Sequence, residues 1–226
     1  MSTPKQKIQT LYSEVTQCPL ACAGIRNDQK NGVIPRSFYI RSAPRNIEVL
    51  IVGKNPGHAP AWESEIVAAT NPRDRAQRHL ELVAELFEGK RSVGTSFHAN
   101  LIRRVAGILG VESTFKAVFS KSALTTLVKC ESIGDKTKSL PAATRNTCAY
   151  RYLLNEIEIL RPIYLIALGG EAYNYLTSRK FAAEHGLPVG NLYHPSWSNM
   201  PGGEDTYLRT EIPKLRTQYL RAKKST

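Results

Sequence analysis

The sequence predicts an α/β fold, a three-layer α/β/α sandwich around a mostly parallel four-stranded sheet, and three observations carry that expectation. Two runs rich in Ile, Val and Leu, Ile47 to Val52 and Ile163 to Leu168, are apolar enough to be buried on both faces, as strands of parallel sheets are. Segments of helical periodicity alternate with these runs and with two shorter strand candidates. Both long runs break off into glycine, Gly53-Lys54-Asn55-Pro56-Gly57 after the first and Gly169-Gly170 after the second. The carboxyl ends of such strands are where parallel sheets place ligands.

Taken in order, Pro4 to Gln17 reads as an amphipathic helix through Ile8, Leu11, Tyr12 and Val15, and a stretch punctuated by Gly and Pro follows to about Asn46. Ile47 to Val52 is the first strand. Asn71 to Lys90, strongly charged, and Leu101 to Gly110 read as helices, and Ala123 to Val128 as a short strand. Thr144 to Leu160 is helical, stopped by Arg161-Pro162 before the strand Ile163 to Leu168. A helix over Glu171 to Ser178, a last short strand over Val189 to Tyr193 and a basic helix over Asp205 to Lys224, bent or delayed by Pro213, complete the chain. No internal repeat, low-complexity tract or dividing linker is present, so one domain over residues 1–226 is expected.

With 42% hydrophobic residues in 226, the chain carries enough apolar surface for a real core. Its 31 Lys and Arg against 19 Asp and Glu give a formal charge of +12, a field that attracts polyanions and makes nucleic acid the leading partner class. No apolar run approaches the ~18 residues of a membrane span, and MSTPKQKIQT lacks a secretory core, which predicts an intracellular, cytoplasmic protein with no membrane partner. In a reducing compartment four cysteines, Cys18, Cys22, Cys130 and Cys148, argue for metal, reactive thiols or plain burial over disulfides.

Two polar loops stand out at the predicted strand ends: GKNPG at Gly53 to Gly57 and HPSWSN at His194 to Asn199. Taken singly, Asn55 closes a turn and His194 decorates a loop as readily as either does chemistry. Together, at two strand ends of one sheet, they resemble the two signature loops of the uracil-DNA glycosylase superfamily. The first is similar to the form found in the mismatch-specific and single-strand-selective branches. The rest resembles the iron–sulfur branch, through CPLAC at Cys18 to Cys22, LVKC at Leu127 to Cys130, Cys148, and RPIYLIALGGEA at Arg161 to Ala172, in the family's order.

The resemblance implies a single glycosylase-like domain in which residues 58–95 form an insertion. Hydrolysis of a nucleobase from deoxyribose passes through an oxocarbenium-like sugar and leaves negative charge on the base, so a water must be placed and that charge stabilised. By resemblance Asn55 positions the water and His194 donates a hydrogen bond to the base carbonyl. Gly53 and Gly57 let the backbone approach the flipped nucleotide, and Pro56 stiffens the turn. Phe97, in SFHAN, stacks on the base, with a core phenylalanine at a helix start as the alternative. Ser196, Ser198 and Asn199 bind DNA phosphates and Trp197 or Met200 wedges into the duplex, with packing against the final helix as the alternative for Trp197. Arg103, Arg104, Arg216, Arg221, Lys223 and Lys224 extend a basic face or form a solvated surface.

The four cysteines are, by resemblance, the ligands of a structural four-iron four-sulfur cluster. The family has two residues between its first two cysteines where this chain has three, so zinc and unmetallated thiols stay open. The position of the family's uracil-reading asparagine, four residues before the third cysteine, holds Thr126, and the branch's motif-one carboxylate is replaced by Lys54 or Asn55. A hydroxyl cannot make the paired amide contacts that select uracil. These departures point to a different, modified pyrimidine, such as a bulky modified cytosine of phage DNA, excised for repair or defence. An ordinary uracil glycosylase and a catalytically inactive, metal-stapled DNA-binding module are the alternatives. The stretch between Cys130 and Cys148 contains no histidine, which argues against a DNA-trapping variant.

Overall fold

The computed structural model describes residues 3–29, 33–36, 47–57, 66, 71–91, 96–134, 138–178, 181, 184–196 and 202–225. Its elements run, in chain order, α1 (Pro4–Thr16), β1 (Ile25–Arg26), β2 (Val49–Gly53), α2 (Pro72–Phe87), α3 (Ser96–Leu109), α4 (Phe115–Phe119), β3 (Ser122–Thr126), β4 (Glu131–Ser132) and α5 (Ala142–Cys148). A π-helical turn (Ala149–Leu153) follows, then α6 (Leu154–Leu160), β5 (Tyr164–Leu168), α7 (Gly170–Leu176), β6 (Val189–Leu192) and α8 (Gly203–Lys224). No described helix is long and apolar enough to cross a membrane.

The central sheet has the order β3-β2-β5-β6. Val49 pairs with Tyr164 and Leu165 with Val189, both in parallel register. The Lys121 carbonyl accepts from Glu48 and the Gly53 carbonyl from Leu127, so β3 advances alongside β2 in the same direction. This is the α/β class expected, a parallel four-stranded sheet flanked by helices. Every residue of β2 and β5 is buried, which is why their sequences read as unbroken apolar runs. The carboxyl ends of β2, β5 and β6 therefore share one edge.

The described residues gather into two compact units. One holds β2 to Val52, α3, α4, β5, β6, α7 and α8. Its helices α3 and α8 pack on each other, and α8 also touches β5 and β6. Gly190 of β6 lets the strand lie close to Tyr164 and Leu215, since a Cβ there would stand 2.2 Å from the Tyr164 hydroxyl. The other unit holds α1, most of α2, the loops after β2 and β3, β4, α5 and α6. Here α1 starts at a capping box, with Thr3 accepting from the Gln6 amide and Gln6 returning a bond to the Thr3 amide. Within it β1 and β4 form an antiparallel ribbon pairing Ile25 with Ser132 and Arg26 with Glu131.

Several boundaries differ from expectation for identifiable reasons. The helix expected from Leu101 begins at Ser96, so Phe97 and Asn100 are helical residues. The stretch expected as one helix to Leu160 carries the π turn directly after Cys148, and π turns insert one residue and re-aim side chains around them. Arg161 ends it in the left-handed region at φ 48°, its amide bonded to the Ile157 carbonyl. The last helix starts before Asp205 and runs through Pro213 unbroken. The carbonyl that loses its partner at Pro213 belongs to Arg209, and both residues are exposed, so the helix can carry the proline without burying an unpaired group. Of the expected 58–95 insertion, α2 is described together with Ile66, which packs with Ile34 and Leu82.

Candidate active site

The first loop continues from β2. Val128 donates to the Lys54 carbonyl at 3.1 Å, extending the β3 pairing past the strand end, and the Lys54 ammonium donates to the Lys138 carbonyl at 2.9 Å. Asn55 is half-buried, and its Nδ2 donates to Ser132 Oγ at 3.0 Å and to the Pro56 carbonyl at 3.0 Å, with the Cys130 carbonyl at 3.4 Å. Carbonyl oxygens only accept, so these neighbours fix the nitrogen toward the protein and leave Oδ1 as the acceptor that Asn55 offers. A Cβ on Gly57 would meet nothing within 4 Å, and its φ lies outside the left-handed region. Neither packing nor backbone strain requires a glycine there. Thr126 is half-buried, and its hydroxyl donates to the Val128 carbonyl at 2.9 Å. With its proton engaged, Thr126 presents lone pairs.

The cysteines lie in the same unit as this loop. All four are free thiols; Cys18, Cys130 and Cys148 are buried and Cys22 half-buried. Among the described residues no group of three or more His, Cys, Asp or Glu side chains is arranged to hold a metal ion. The four sulfurs nevertheless act on one another. Burial, followed by the Cys148, Cys18 and Cys22 sulfurs, pushes the Cys130 thiol far above its ordinary value. Cys148 is raised to about 11, chiefly by burial, and the Lys129 amide donates to its Sγ at 3.2 Å. The β1–β4 ribbon, with Ile133 donating to the Gly24 carbonyl at 3.0 Å, stitches the segment after Cys22 to the segment after Cys130. Beside them the Lys129 ammonium, 1% exposed, meets Glu156 at 2.6 Å, Thr125 Oγ1 at 2.6 Å and the Thr126 carbonyl at 2.8 Å.

The second loop leaves β6 at Leu192. His194 is exposed, and its Nδ1 accepts from the Ser196 amide at 3.3 Å. A ring nitrogen that accepts is unprotonated, which makes Nε2 the His194 nitrogen able to carry a proton and donate. The Phe97 ring lies 5.4 Å from the His194 ring at 43°, and His98 meets Phe97 edge-on at 5.1 Å; burial lowers the His98 pKa. Gly169, at φ 83°, ends β5 beside this loop, where a Cβ would lie 3.8 Å from that of His194. The backbone around His194 is held from two helices. Arg104 donates to the Tyr193 carbonyl at 2.7 Å, Tyr207 Oη accepts from the Tyr193 amide at 3.0 Å, and Asn100 donates to the Pro195 carbonyl at 3.0 Å.

Arg104 corrects an expectation. It does not extend a basic face: it is 0% exposed, paired to both oxygens of Glu204 at 2.9 and 2.5 Å and lying 5.1 Å over the Tyr207 ring. The planar guanidinium has a carboxylate, a carbonyl and a ring to satisfy, which is what permits its burial. Arg103 is exposed, as expected. The signal for Arg104 was helical: it sits on one face with Phe97, Leu101 and Ile108, whereas Arg103 does not. Ser132, Asn100, Glu204 and Tyr207 also escaped sequence reasoning, since each is an ordinary polar residue until its partner is known. Of the DNA-contact candidates Ser196 is exposed, and Trp197, Ser198, Asn199 and Met200 lie outside the described residues.

No curated protein matches the chain. The family whose model matches, over residues 41–217, is described as the uracil DNA glycosylase superfamily.

Proposed function

Because the chain belongs to the uracil DNA glycosylase superfamily, whose members act on DNA, we propose that it is a monofunctional DNA glycosylase that excises a flipped, modified pyrimidine. The observation that carries this reading is how the two key side chains are committed. Asn55 directs its nitrogen to Ser132 and Pro56, so its oxygen is the acceptor of the amide; His194 accepts from Ser196 at Nδ1, so Nε2 is the ring nitrogen able to donate. Glycosidic hydrolysis needs that complementary pair. Asn55 Oδ1 holds a water for C1′ of the sugar. As the C1′–N1 bond breaks, its electron pair departs with the base, and His194 Nε2–H stabilises the charge on the base carbonyl. The water oxygen bonds to C1′, its proton is taken up by the departing base or by solvent, and an abasic site remains. Phe97 supplies a stacking surface beside His194.

Thr126 supports a base other than uracil. A hydroxyl whose proton goes to Val128 offers an acceptor, which suits an exocyclic amino group and gives uracil O4 no donor. The spacing and order of the cysteines, by their likeness to the family's pattern, support a structural cluster, four-iron four-sulfur in first place and zinc as the alternative, with Cys18, Cys22, Cys130 and Cys148 as ligands. When bound, such a group would cross-link the N-terminal segment to the chain around Cys130.

Oligonucleotides carrying uracil, hypoxanthine, mismatched thymine, 5-hydroxymethylcytosine or its glucosylated form, scored for alkali-labile sites, test the reading. Excision of one modified pyrimidine, lost in Asn55→Ala, is expected, with uracil excision gained in Thr126→Asn. Excision of uracil by the native protein would make it an ordinary uracil glycosylase, and DNA binding with no excision would make it a binding module. Metal analysis with the absorption spectrum of anaerobically purified protein separates iron–sulfur, zinc and bare thiols.

A further inference from the structure

We propose that Arg104, Asn100, Tyr207 and Glu204 are positioning residues that clamp the backbone on both sides of His194 and thereby aim its Nε2–H at the departing base. The inference rests on the glycosylase reading above and extends it to residues outside the two signature loops.

The need for a clamp follows from the topology. Strand β6 is the edge strand of the sheet, and its pairing with β5 ends at Leu168 and Leu192. The β5–β6 register ends at Leu192, and the next residues carry the exposed His194 ring. An exposed ring is not oriented by core packing, so its direction is set by its own backbone and near neighbours. Side chains hold the main chain here. Both polar groups of the Tyr193 peptide units and the Pro195 carbonyl are engaged by side chains, two from α3 and one from α8. Glu204 completes the arrangement by holding the Arg104 fork in place, and the stacked Tyr193 and Tyr207 rings, 5.1 Å apart, add a second hold on the same residue. The bonds are directional and mutually supporting, so a displacement of the His194 backbone breaks several at once. A misplacement of about 1 Å at a catalytic group costs on the order of 10²-fold in rate, which is the scale at which such a clamp matters.

The test compares two buried tyrosines that both bond through their hydroxyls, Tyr207 on α8 and Tyr164 on β5. Tyr207→Phe removes the acceptor for the Tyr193 amide and keeps its ring under Arg104. Tyr164→Phe removes a 2.9 Å bond to Gln218 of α8 and touches nothing in the loop. The expected result is a kcat about tenfold lower for Tyr207→Phe and Asn100→Ala, with KM changed less than about twofold, and no kcat change for Tyr164→Phe. The deficit should grow with substrates whose base leaves less readily. An independent readout is the ¹⁵N spectrum of the His194 imidazole: Nε2–H alone in the native protein, a mixture of tautomers in Tyr207→Phe. Equal losses of kcat in both tyrosine variants, or an unchanged tautomer in Tyr207→Phe, would overturn the clamp. A native protein that excises no base but shows the tautomer change would retain the clamp and refute the glycosylase reading instead.

Discussion

The two signature loops are secured in opposite ways. Asn55 is held by its own side chain, whose nitrogen is bound to Ser132 and Pro56 on a loop laddered to the chain after β3. His194 has an exposed ring held at Nδ1 by Ser196, and the firm contacts are made to the peptides around it. The difference follows from what each group must present. An amide that offers one oxygen is aimed by binding its nitrogen, and the job is finished within one residue. In the role proposed for His194, an imidazole that meets a departing base needs its ring uncovered, so constraint moves back to the main chain.

The largest expected effect strikes the second arrangement. Arg104→Gln leaves Glu204 without its fork, and breaking a buried pair costs about 3–5 kcal/mol; with Glu204 23% exposed the lower end is expected. Urea denaturation measures it. No loss of stability would show that the clamp is decorative. Next, Ser132→Ala removes one of the anchors of the Asn55 nitrogen. A rate lower by about tenfold, or 1.4 kcal/mol, is expected in single-turnover excision, with the unfolding midpoint nearly unchanged. An undiminished rate would mean that Pro56 and Cys130 suffice, and that the first loop is redundantly held.

A smaller effect is expected at Gly57→Ala. Nothing in the protein opposes the added methyl, so stability should change by less than about 0.5 kcal/mol, while DNA affinity should fall several-fold if backbone and nucleotide approach there. Fluorescence anisotropy with a hairpin substrate reads it. The smallest concerns the far end of α8, where Tyr219 and Lys223 bond Glu48. Burial opposes ionisation of Glu48, but the Lys223 and Tyr219 bonds outweigh it and hold the carboxyl below its ordinary 4.5. The contribution is therefore complete above pH 4.5 and is lost as the pH falls through the lower folded value. Because Lys223 is 46% exposed, a few tenths of a kcal/mol is expected, seen as a pH-dependent difference in unfolding midpoint between the native protein and Glu48→Gln.

Much of the fold was legible because parallel strands buried on both faces write themselves as unbroken apolar runs, and β2 and β5 did so. The two-residue strands β1 and β4 and the five-residue α4 were not legible, since two or five residues carry no period to detect. The loops holding Asn55 and His194 could be read from glycine, proline and one polar residue at strand ends. Their supports could not. Ser132 acquires its role only through a partner 77 positions away, and Arg104 through one 100 positions away. A charge inside an apolar helical face is ambiguous in sequence until the carboxylate that neutralises it is found.

Only one residue separates Cys130 from Ser132, and both touch the same amide of Asn55. Damage at the sulfurs is thus not confined to them: whatever shifts the chain at Cys130 unseats the group proposed to hold the water. A change in the chain at Cys130 therefore reaches Asn55 through the Cys130 carbonyl and Ser132.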